Sequence, residues 1–92
     1  MSVKYIVHGK SPCAYCRMAV DLLRREDAEI EYLNTEAHEV SILKEALLSQ
    51  FNVAVRTFPQ IIKVDGTTET YIGGFTELRE HFSNMEEIDF DD

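Results

Sequence analysis

The spacing of apolar residues changes several times along the first third of the chain, and each change marks a predicted element. Residues 3–7 are rich in β-branched and aromatic side chains, which favours a strand. Between residues 14 and 26, apolar side chains recur at helical spacing. Residues 29–33 alternate between polar and apolar, as in a half-buried strand. A strand, a helix and a strand of these lengths predict a right-handed βαβ unit with parallel strands.

The rest of the chain predicts a second helix, a hairpin and a short third helix. Residues 37–50 carry an apolar stripe at helical spacing. Strands at 60–64 and 67–72 flank Asp65-Gly66, a strong signal for a hairpin turn. After Gly73-Gly74, an apolar stripe at 75–82 indicates a short helix. The sequence therefore predicts an α/β fold in which three helices flank a four-stranded mixed sheet, with one parallel pair and one antiparallel hairpin.

Composition indicates one soluble domain. The chain has 92 residues, of which 45% are hydrophobic and 28% charged, as in ordinary globular proteins. No apolar run approaches the ~20 residues that span a membrane. The first residues lack the apolar core and cleavage site of a signal peptide. We therefore expect a cytoplasmic protein.

The charge is strongly negative and unevenly placed. A net charge of −8 argues against nucleic acid or a membrane as a partner. Five acidic residues and no basic residue fall within 84–92. We expect a domain at 1–83 followed by a solvated acidic tail at 84–92.

The two cysteines, Cys13 and Cys16, stand two residues apart at the start of the first predicted helix. A helix N-terminus has unpaired N–H groups and a positive dipole end, which favour a reactive thiolate. A zinc site would need two further ligands, and no histidine lies at the usual finger spacing. Two inert core cysteines are the other alternative. In a reducing compartment, such a pair is more often catalytic than structural.

The three histidines are expected to lie in strands and helices and not to be part of the reactive site. His8 ends the first strand near the cysteine loop, where it could act as a base for a thiol, although a packed strand-end histidine is the favoured interpretation. We expect His38 and His81 to lie on helices and to face solvent.

Three motifs in order resemble those of the glutaredoxins, a family with the thioredoxin-like fold. Cys13-Ala14-Tyr15-Cys16 resembles the family's Cys-Pro-Tyr-Cys. Thr57-Phe58-Pro59-Gln60-Ile61 resembles Thr-Val-Pro-Gln-Ile. Gly73-Gly74-Phe75-Thr76-Glu77-Leu78 resembles Gly-Gly-x-Asp/Thr-Asp-Leu. The resemblance covers nearly the whole chain. The chain is similar to the small glutaredoxins of bacteria and phages.

The resemblance implies a role for each matching residue. Cys13 would be the nucleophile and Cys16 the resolving thiol. Lys10 would bind a glutathione carboxylate, with a solvated surface lysine as its alternative, and Arg56 would neutralise the other carboxylate. The remaining implied glutathione contacts are Tyr15, Thr57, Phe58, Pro59, Gly74, Phe75 and Thr76.

Within that set, the resemblance makes Pro59 a cis-proline, which would turn the backbone groups of Phe58 towards the cysteinyl unit of glutathione. Gly74 and Thr76 would hold the γ-glutamyl carboxylate at a helix N-terminus. For Tyr15, core packing is the alternative to a place in the groove.

Three residues depart from the family pattern. Ala14 stands in place of proline and restores a backbone donor near the sulfurs. Phe58 replaces valine and enlarges the apolar face beside the site. Thr76 stands where many members have aspartate, which removes a charge from the pocket and leaves a hydroxyl to cap the helix.

The implied function is glutathione-dependent thiol–disulfide exchange by a monomer, with ribonucleotide reductase as a protein client, deglutathionylation as a further activity and no tightly bound cofactor. One alternative is a carrier of a [2Fe–2S] cluster held by Cys13, since a small residue at Ala14 accompanies cluster binding in some relatives. Another is a thioredoxin-like electron donor reduced by a flavoenzyme reductase.

Overall fold

The elements of the fold follow the predicted order. The computed structural model describes residues 3–90, with side chains through residue 84. The strands are β1 (Val3–Gly9), β2 (Glu29–Asn34), β3 (Gln60–Asp65) and β4 (Thr68–Gly73). The helices are α1 (Ala14–Arg25), α2 (Val40–Phe51) and α3 (Phe75–Phe90), and a 3₁₀ turn at Ala37–Glu39 precedes α2. The predicted helix at 37–50 is therefore a 3₁₀ turn followed by an α-helix.

The strands form one mixed sheet in the order β2-β1-β3-β4. β1 and β2 are parallel, because α1 carries the chain back to the end of the sheet at which β1 begins. β3 pairs antiparallel with both β1 and β4. The β3–β4 turn contains Gly66 with φ +65°, a conformation that glycine adopts without steric cost. The predicted parallel pair and hairpin are both confirmed, and β1–β3 is the pairing that joins them.

The sheet has a hydrophobic core on each face, because successive side chains of a strand point to opposite sides. On one face, Tyr5 and Val7 of β1 pack in a core that includes Leu23 of α1 and Leu78 of α3. On the other face, Ile62 packs with Leu47 of α2, Val55 and the partly buried Ile6. The predicted thioredoxin-like arrangement, a four-stranded sheet flanked by three helices, is confirmed.

Helix α3 is longer than the short helix predicted at 75–82. It continues to Phe90, because no glycine or proline interrupts residues 75–90. The helix crosses the predicted boundary between residues 83 and 84, so the acidic segment begins as a continuation of α3. The side chains of its acidic residues lie outside the described part, and the division into domain and tail stays a prediction. None of the helices within residues 3–90 is long and apolar enough to cross a membrane.

Candidate active site

The N-terminus of α1 places the two cysteines. Cys13 is the N-cap residue, with extended backbone at φ −157°, and its sulfur accepts a hydrogen bond from the N–H of Cys16 at 3.1 Å. The two Cα atoms are 5.3 Å apart, and the sulfurs form a disulfide. When the pair is reduced, the same N–H group and the helix dipole stabilise a negative charge on Cys13. The site is therefore built to hold a thiolate at Cys13.

Exposure distinguishes the two sulfurs. Cys13 is half-buried, whereas only 2% of Cys16 is exposed. A substrate from solution can therefore reach Cys13, while Cys16 meets only what is already bonded to Cys13. This difference matches the predicted roles of nucleophile and resolving thiol.

The loop before β3 lies against Cys13. The Phe58–Pro59 peptide bond is cis, as the resemblance implied. The carbonyl oxygen of Phe58 lies 3.8 Å from the sulfur of Cys13. Backbone polar groups are thus available beside the reactive sulfur, where an extended peptide can pair with them. The Ser11–Pro12 bond is also cis, which the sequence did not predict.

Gln60 supports this loop and was not among the predicted site residues. Its side chain is 96% buried, and its amide nitrogen donates to the carbonyl of Thr57 at 2.7 Å. Its side-chain oxygen accepts a hydrogen bond from the hydroxyl of Tyr71 on β4. A polar residue at the start of the apolar strand Gln60-Ile61-Ile62 was the signal that could have identified it.

One open groove of about 290 Å³ gathers seven of the predicted contacts. We call it the cis-proline groove; it is lined by Tyr15, residues 57–59 and residues 74–77. Tyr15 is 59% exposed and lies near Phe75, with ring centroids 6.1 Å apart. The core-packing alternative for Tyr15 is therefore wrong. The elements that meet here are the start of α1, the loop before β3 and the start of α3.

The two predicted cations lie apart from each other. Arg56 is exposed and lines an adjoining groove of about 250 Å³ that shares Thr57, Gly74 and Glu77 with the cis-proline groove. Lys10 is also exposed, but it lines a different groove, alongside Cys13. Of the two cations, Arg56 is therefore the one that lies next to the other predicted glutathione contacts.

Glu77 caps α3 and was also missed by the sequence prediction. Its side-chain oxygen accepts a hydrogen bond from the N–H of Gly74 at 2.9 Å. A glutamate at the third helical position often bonds back to the N-cap residue in this way. The predicted cap, the hydroxyl of Thr76, is not the one observed, because α3 begins at Phe75 and Thr76 is already inside the helix. The sequence Gly74-Phe75-Thr76-Glu77 carried this signal, since the glutamate follows the N-cap by three residues.

Comparison of the sequence with known proteins identifies the family. A family model described as Glutaredoxin matches residues 5–68. The chain belongs to the glutaredoxin family. It is 35% identical over 78 residues to Glutaredoxin 1 of Escherichia coli K12 and to that of Shigella flexneri, covering 79% of this chain and 85% of each relative. It is similar to the small bacterial glutaredoxins.

Solved structures show the same fold. Glutaredoxin 1 from Francisella tularensis, complexed with cacodylate, has a TM-score of 0.77 at 21% identity, covering 94% of this chain and 99% of that one. The structure of reduced Escherichia coli glutaredoxin has a TM-score of 0.63 at 29% identity, covering 88% and 94%. The glutaredoxin of Brucella melitensis also has a TM-score of 0.63, at 26% identity, covering 96% and 86%.

Glutaredoxins are thiol–disulfide oxidoreductases, and the disulfide at the start of α1 is the redox-active pair of this one. Within residues 3–90, no three or more histidine, cysteine or acidic side chains form a group that could hold a metal ion.

Two of the three histidines of this glutaredoxin are half-buried. His8 is half-buried and follows Val7 on β1, so it faces the opposite side of the sheet from the core that includes α1. This position agrees with the packed interpretation of His8. His38 is exposed, as predicted. The prediction for His81 is wrong: it is half-buried, and its Nε2 lies 3.0 Å from the hydroxyl of Tyr5.

Proposed function

We propose that this glutaredoxin uses glutathione to reduce glutathione mixed disulfides and protein disulfides. The observation that supports the proposal best is the cis-proline groove, which lies beside Cys13 and gathers seven of the residues predicted to contact glutathione. We assign the role of resolving thiol to Cys16, which is paired with Cys13 in a disulfide. The 35% identity to Glutaredoxin 1 of Escherichia coli supports the same assignment.

In the first step, the Cys13 thiolate attacks the glutathione sulfur of a mixed disulfide. The bond to the client breaks, and the client sulfur leaves with the electron pair and takes a proton from water. Cys13 is then bonded to glutathione. The thiolate of a second glutathione attacks the first, which releases oxidised glutathione and restores Cys13.

A protein disulfide requires the second cysteine. Cys13 attacks one sulfur of the client, and Cys16 then attacks Cys13, which releases the reduced client and leaves the Cys13–Cys16 disulfide seen here. Two glutathione molecules reduce this disulfide in turn and leave as one molecule of oxidised glutathione. The burial of Cys16 favours this order, since intermolecular attack at Cys16 is hindered.

Groups around the groove supply binding. We assign the backbone of Phe58 to the cysteinyl unit of glutathione, in the manner of an added strand. Arg56 and Lys10 are the exposed cations assigned to its carboxylates. The N–H of Gly74 is bonded to Glu77 in this structure, so a glutathione carboxylate at that N–H requires Glu77 to turn away.

The resemblance also supports the place of this reaction in the cell. We propose that the protein acts as a cytoplasmic monomer, in electron transport and redox homeostasis, with ribonucleotide reductase among its clients. An activity assay on purified ribonucleotide reductase, with glutathione and glutathione reductase as the electron source, tests the client directly.

The first test of the function is turnover of a small glutathione mixed disulfide, coupled to glutathione reductase. We expect wild type to be active, Cys13→Ser to be inactive, and Cys16→Ser to retain the route that uses two glutathione molecules. With a protein disulfide as substrate, Cys16→Ser should also lose turnover. Full activity in Cys13→Ser would contradict the assignment of the nucleophile.

Two alternatives are tested alongside. If a flavoenzyme thioredoxin reductase supports turnover and glutathione does not, the protein is a thioredoxin-like donor. For the [2Fe–2S] alternative, no single group within residues 3–90 supplies three ligands, so Cys13 would need ligands from glutathione and a second subunit. Anaerobic expression with iron and sulfide tests it, and a colourless monomer would rule it out.

A further inference from the structure

A second groove reaches both cysteines and lies on a different side of α1 from Tyr15. It encloses about 620 Å³, and both Cys13 and Cys16 line it together with Arg17, Val20, Arg24 and Tyr32. Apart from the cysteines and the Lys10–Pro12 loop, its walls come from α1 and β2. None of its lining residues belongs to the cis-proline groove. We call it the basic groove.

The charge of the basic groove is opposite to that of the chain. The chain has 17 acidic and nine basic residues, whereas this groove has three basic residues, Lys10, Arg17 and Arg24, and one acidic residue, Asp21. All four side chains are exposed. The one salt bridge found within the described residues joins Lys4 and Glu31, so the three cations of the groove have no acidic partner there.

The spacing of the two arginines suits an extended chain. Arg17 and Arg24 are seven residues apart on α1, which places them on the same side of the helix, about 10 Å apart along its axis. Residues two apart on an extended peptide point to the same side and are separated by about 7 Å. Arginine side chains are long, so two acidic side chains at that interval can meet both arginines.

Apolar surface lies between these charges. Val20 is half-buried, and Tyr32 is 43% exposed on the edge strand β2. The side chain of Tyr32 lies against the backbone of Gly9, where an added Cβ would collide with the ring and its hydroxyl oxygen. The tyrosine thus covers the end of β1 next to the cysteine loop, and it offers an aromatic face to a bound side chain.

We propose that the basic groove docks an acidic, extended segment next to the reactive cysteine of a protein client. This inference rests on the proposed function, because it divides the site between two substrates. Glutathione takes the cis-proline groove and, of the residues that line the basic groove, contacts only Lys10 besides the reactive Cys13, so the polypeptide attached to the other sulfur leaves Cys13 through the opposite side. A net positive groove on a negative protein then selects clients with aspartate or glutamate beside the cysteine.

The first experiment compares two synthetic peptides as glutathione mixed disulfides. Each has a central cysteine, and one carries aspartate and glutamate two residues apart while the other carries asparagine and glutamine there. The readout is the ratio of kcat/KM for the acidic and neutral peptides. We expect wild type to prefer the acidic peptide and Arg17→Gln/Arg24→Gln to lose about five-fold of that preference, as two exposed ion pairs allow.

Arg25→Gln is the matched control. Arg25 is exposed at the end of the same helix and does not line the basic groove. It should retain the wild-type preference. The proposal is overturned if wild type shows no preference, if the double variant keeps the full preference, or if Arg25→Gln loses it equally through a general effect of net charge.

A binding measurement separates docking from turnover. The acidic peptide, with serine in place of its cysteine, is titrated into the ¹⁵N-labelled full chain, and amide shifts are mapped. We expect the largest shifts at Arg17, Val20, Arg24 and Tyr32. Shifts confined to residues 57–59 and 74–77, or no shifts, overturn the inference. If neither peptide is turned over but these shifts appear, the proposed glutathione reaction fails while the docking surface stands.

Discussion

At the residue scale, the cysteines and Gln60 show how burial assigns different tasks to neighbouring side chains. Cys13 is half-buried and lines the basic groove, whereas Cys16 is buried in the core. Gln60 is equally buried, but it binds no substrate in our assignment. Its two hydrogen bonds join the loop at Thr57 to Tyr71 on β4 and so hold the cis-proline segment against the sulfurs.

We predict that Gln60→Leu lowers stability and weakens glutathione binding. The substitution leaves the carbonyl of Thr57 and the hydroxyl of Tyr71 without their partner, which costs about 1–3 kcal/mol of unfolding free energy. A loosened loop should raise KM for glutathione more than it lowers kcat. Urea unfolding and steady-state kinetics measure the two effects.

Gln50→Leu is the control for this prediction. Gln50 is exposed on α2, and its side chain bonds only to Glu69 on the surface. Its replacement should change stability by less than about 0.5 kcal/mol and leave KM unchanged. Equal effects of the two substitutions would mean that burial of Gln60 has no special role.

At the scale of elements, each helix that contributes to the site does so with its N-terminus. Cys13 caps α1, and Glu77 caps α3 through Gly74. Further along α3, His81 ties the helix to β1 through Tyr5, with edge-on packing between their rings. Burial raises the pKa of Tyr5 and lowers that of His81, because it disfavours the charged form of each.

We predict that stability falls as the pH is lowered from about 6.5, partly because of His8 and His81. Burial is the main cause of the lowered pKa of each; Lys63 lowers that of His81 further, and Glu31 opposes the shift at His8. The unfolded chain, with histidine pKa values near 6.5, therefore takes up protons before the folded chain does. The loss of stability that these two histidines cause is complete once the pH is below their pKa values in the folded protein.

Chemical unfolding of wild type and of His8→Gln/His81→Gln, between about pH 7.5 and 5, tests this prediction. The carboxylates are common to both proteins, so the difference between their unfolding free energies at each pH gives the contribution of the two histidines. We expect wild type to lose more stability than the variant as the pH falls. A difference that does not change with pH would show that neither histidine contributes. His38→Gln, on the exposed 3₁₀ turn, is the matched control.

At the scale of the whole molecule, the sheet separates two cores that hold the site from opposite sides. The core with Leu23 and Leu78 fixes α1 and α3, and hence Cys13 and Glu77. The core with Leu47 and Ile62 fixes α2 and the other face of β3. Since β1 and β3 contribute to both, we expect the domain to unfold in one cooperative transition.

We predict that Leu23→Ala costs about 2–5 kcal/mol of unfolding free energy, because Leu23 has no exposed surface and its loss leaves a cavity. Leu48→Ala is the control, since Leu48 is 53% exposed on α2 and should cost less than about 0.5 kcal/mol. Urea denaturation curves compare them. A small effect at Leu23 would mean that the core around α1 can collapse to fill the space.

The sequence alone was enough to predict the local elements and the redox-active pair of cysteines. Period-two and helical spacing, the Asp65-Gly66 turn and the glycines after β4 are local signals, and they placed the strands and the first two helices within a few residues, whereas α3 continues past its predicted end at residue 82 to Phe90. The pair of cysteines at a helix start indicated disulfide exchange for the same reason. The motif order identified the family and implied the cis bond before Pro59.

Tertiary structure alone decided which distant residues meet. The antiparallel β1–β3 pairing, the bonds from Gln60 to Thr57 and Tyr71, and the contact of His81 with Tyr5 all join segments that no local pattern relates. The position of Lys10 beside Arg17 and Arg24, away from Tyr15, depends equally on how α1 leaves the sheet. Local periodicity specifies which face of an element is buried, but only packing of the whole chain specifies what that face, and the charges around it, will contact.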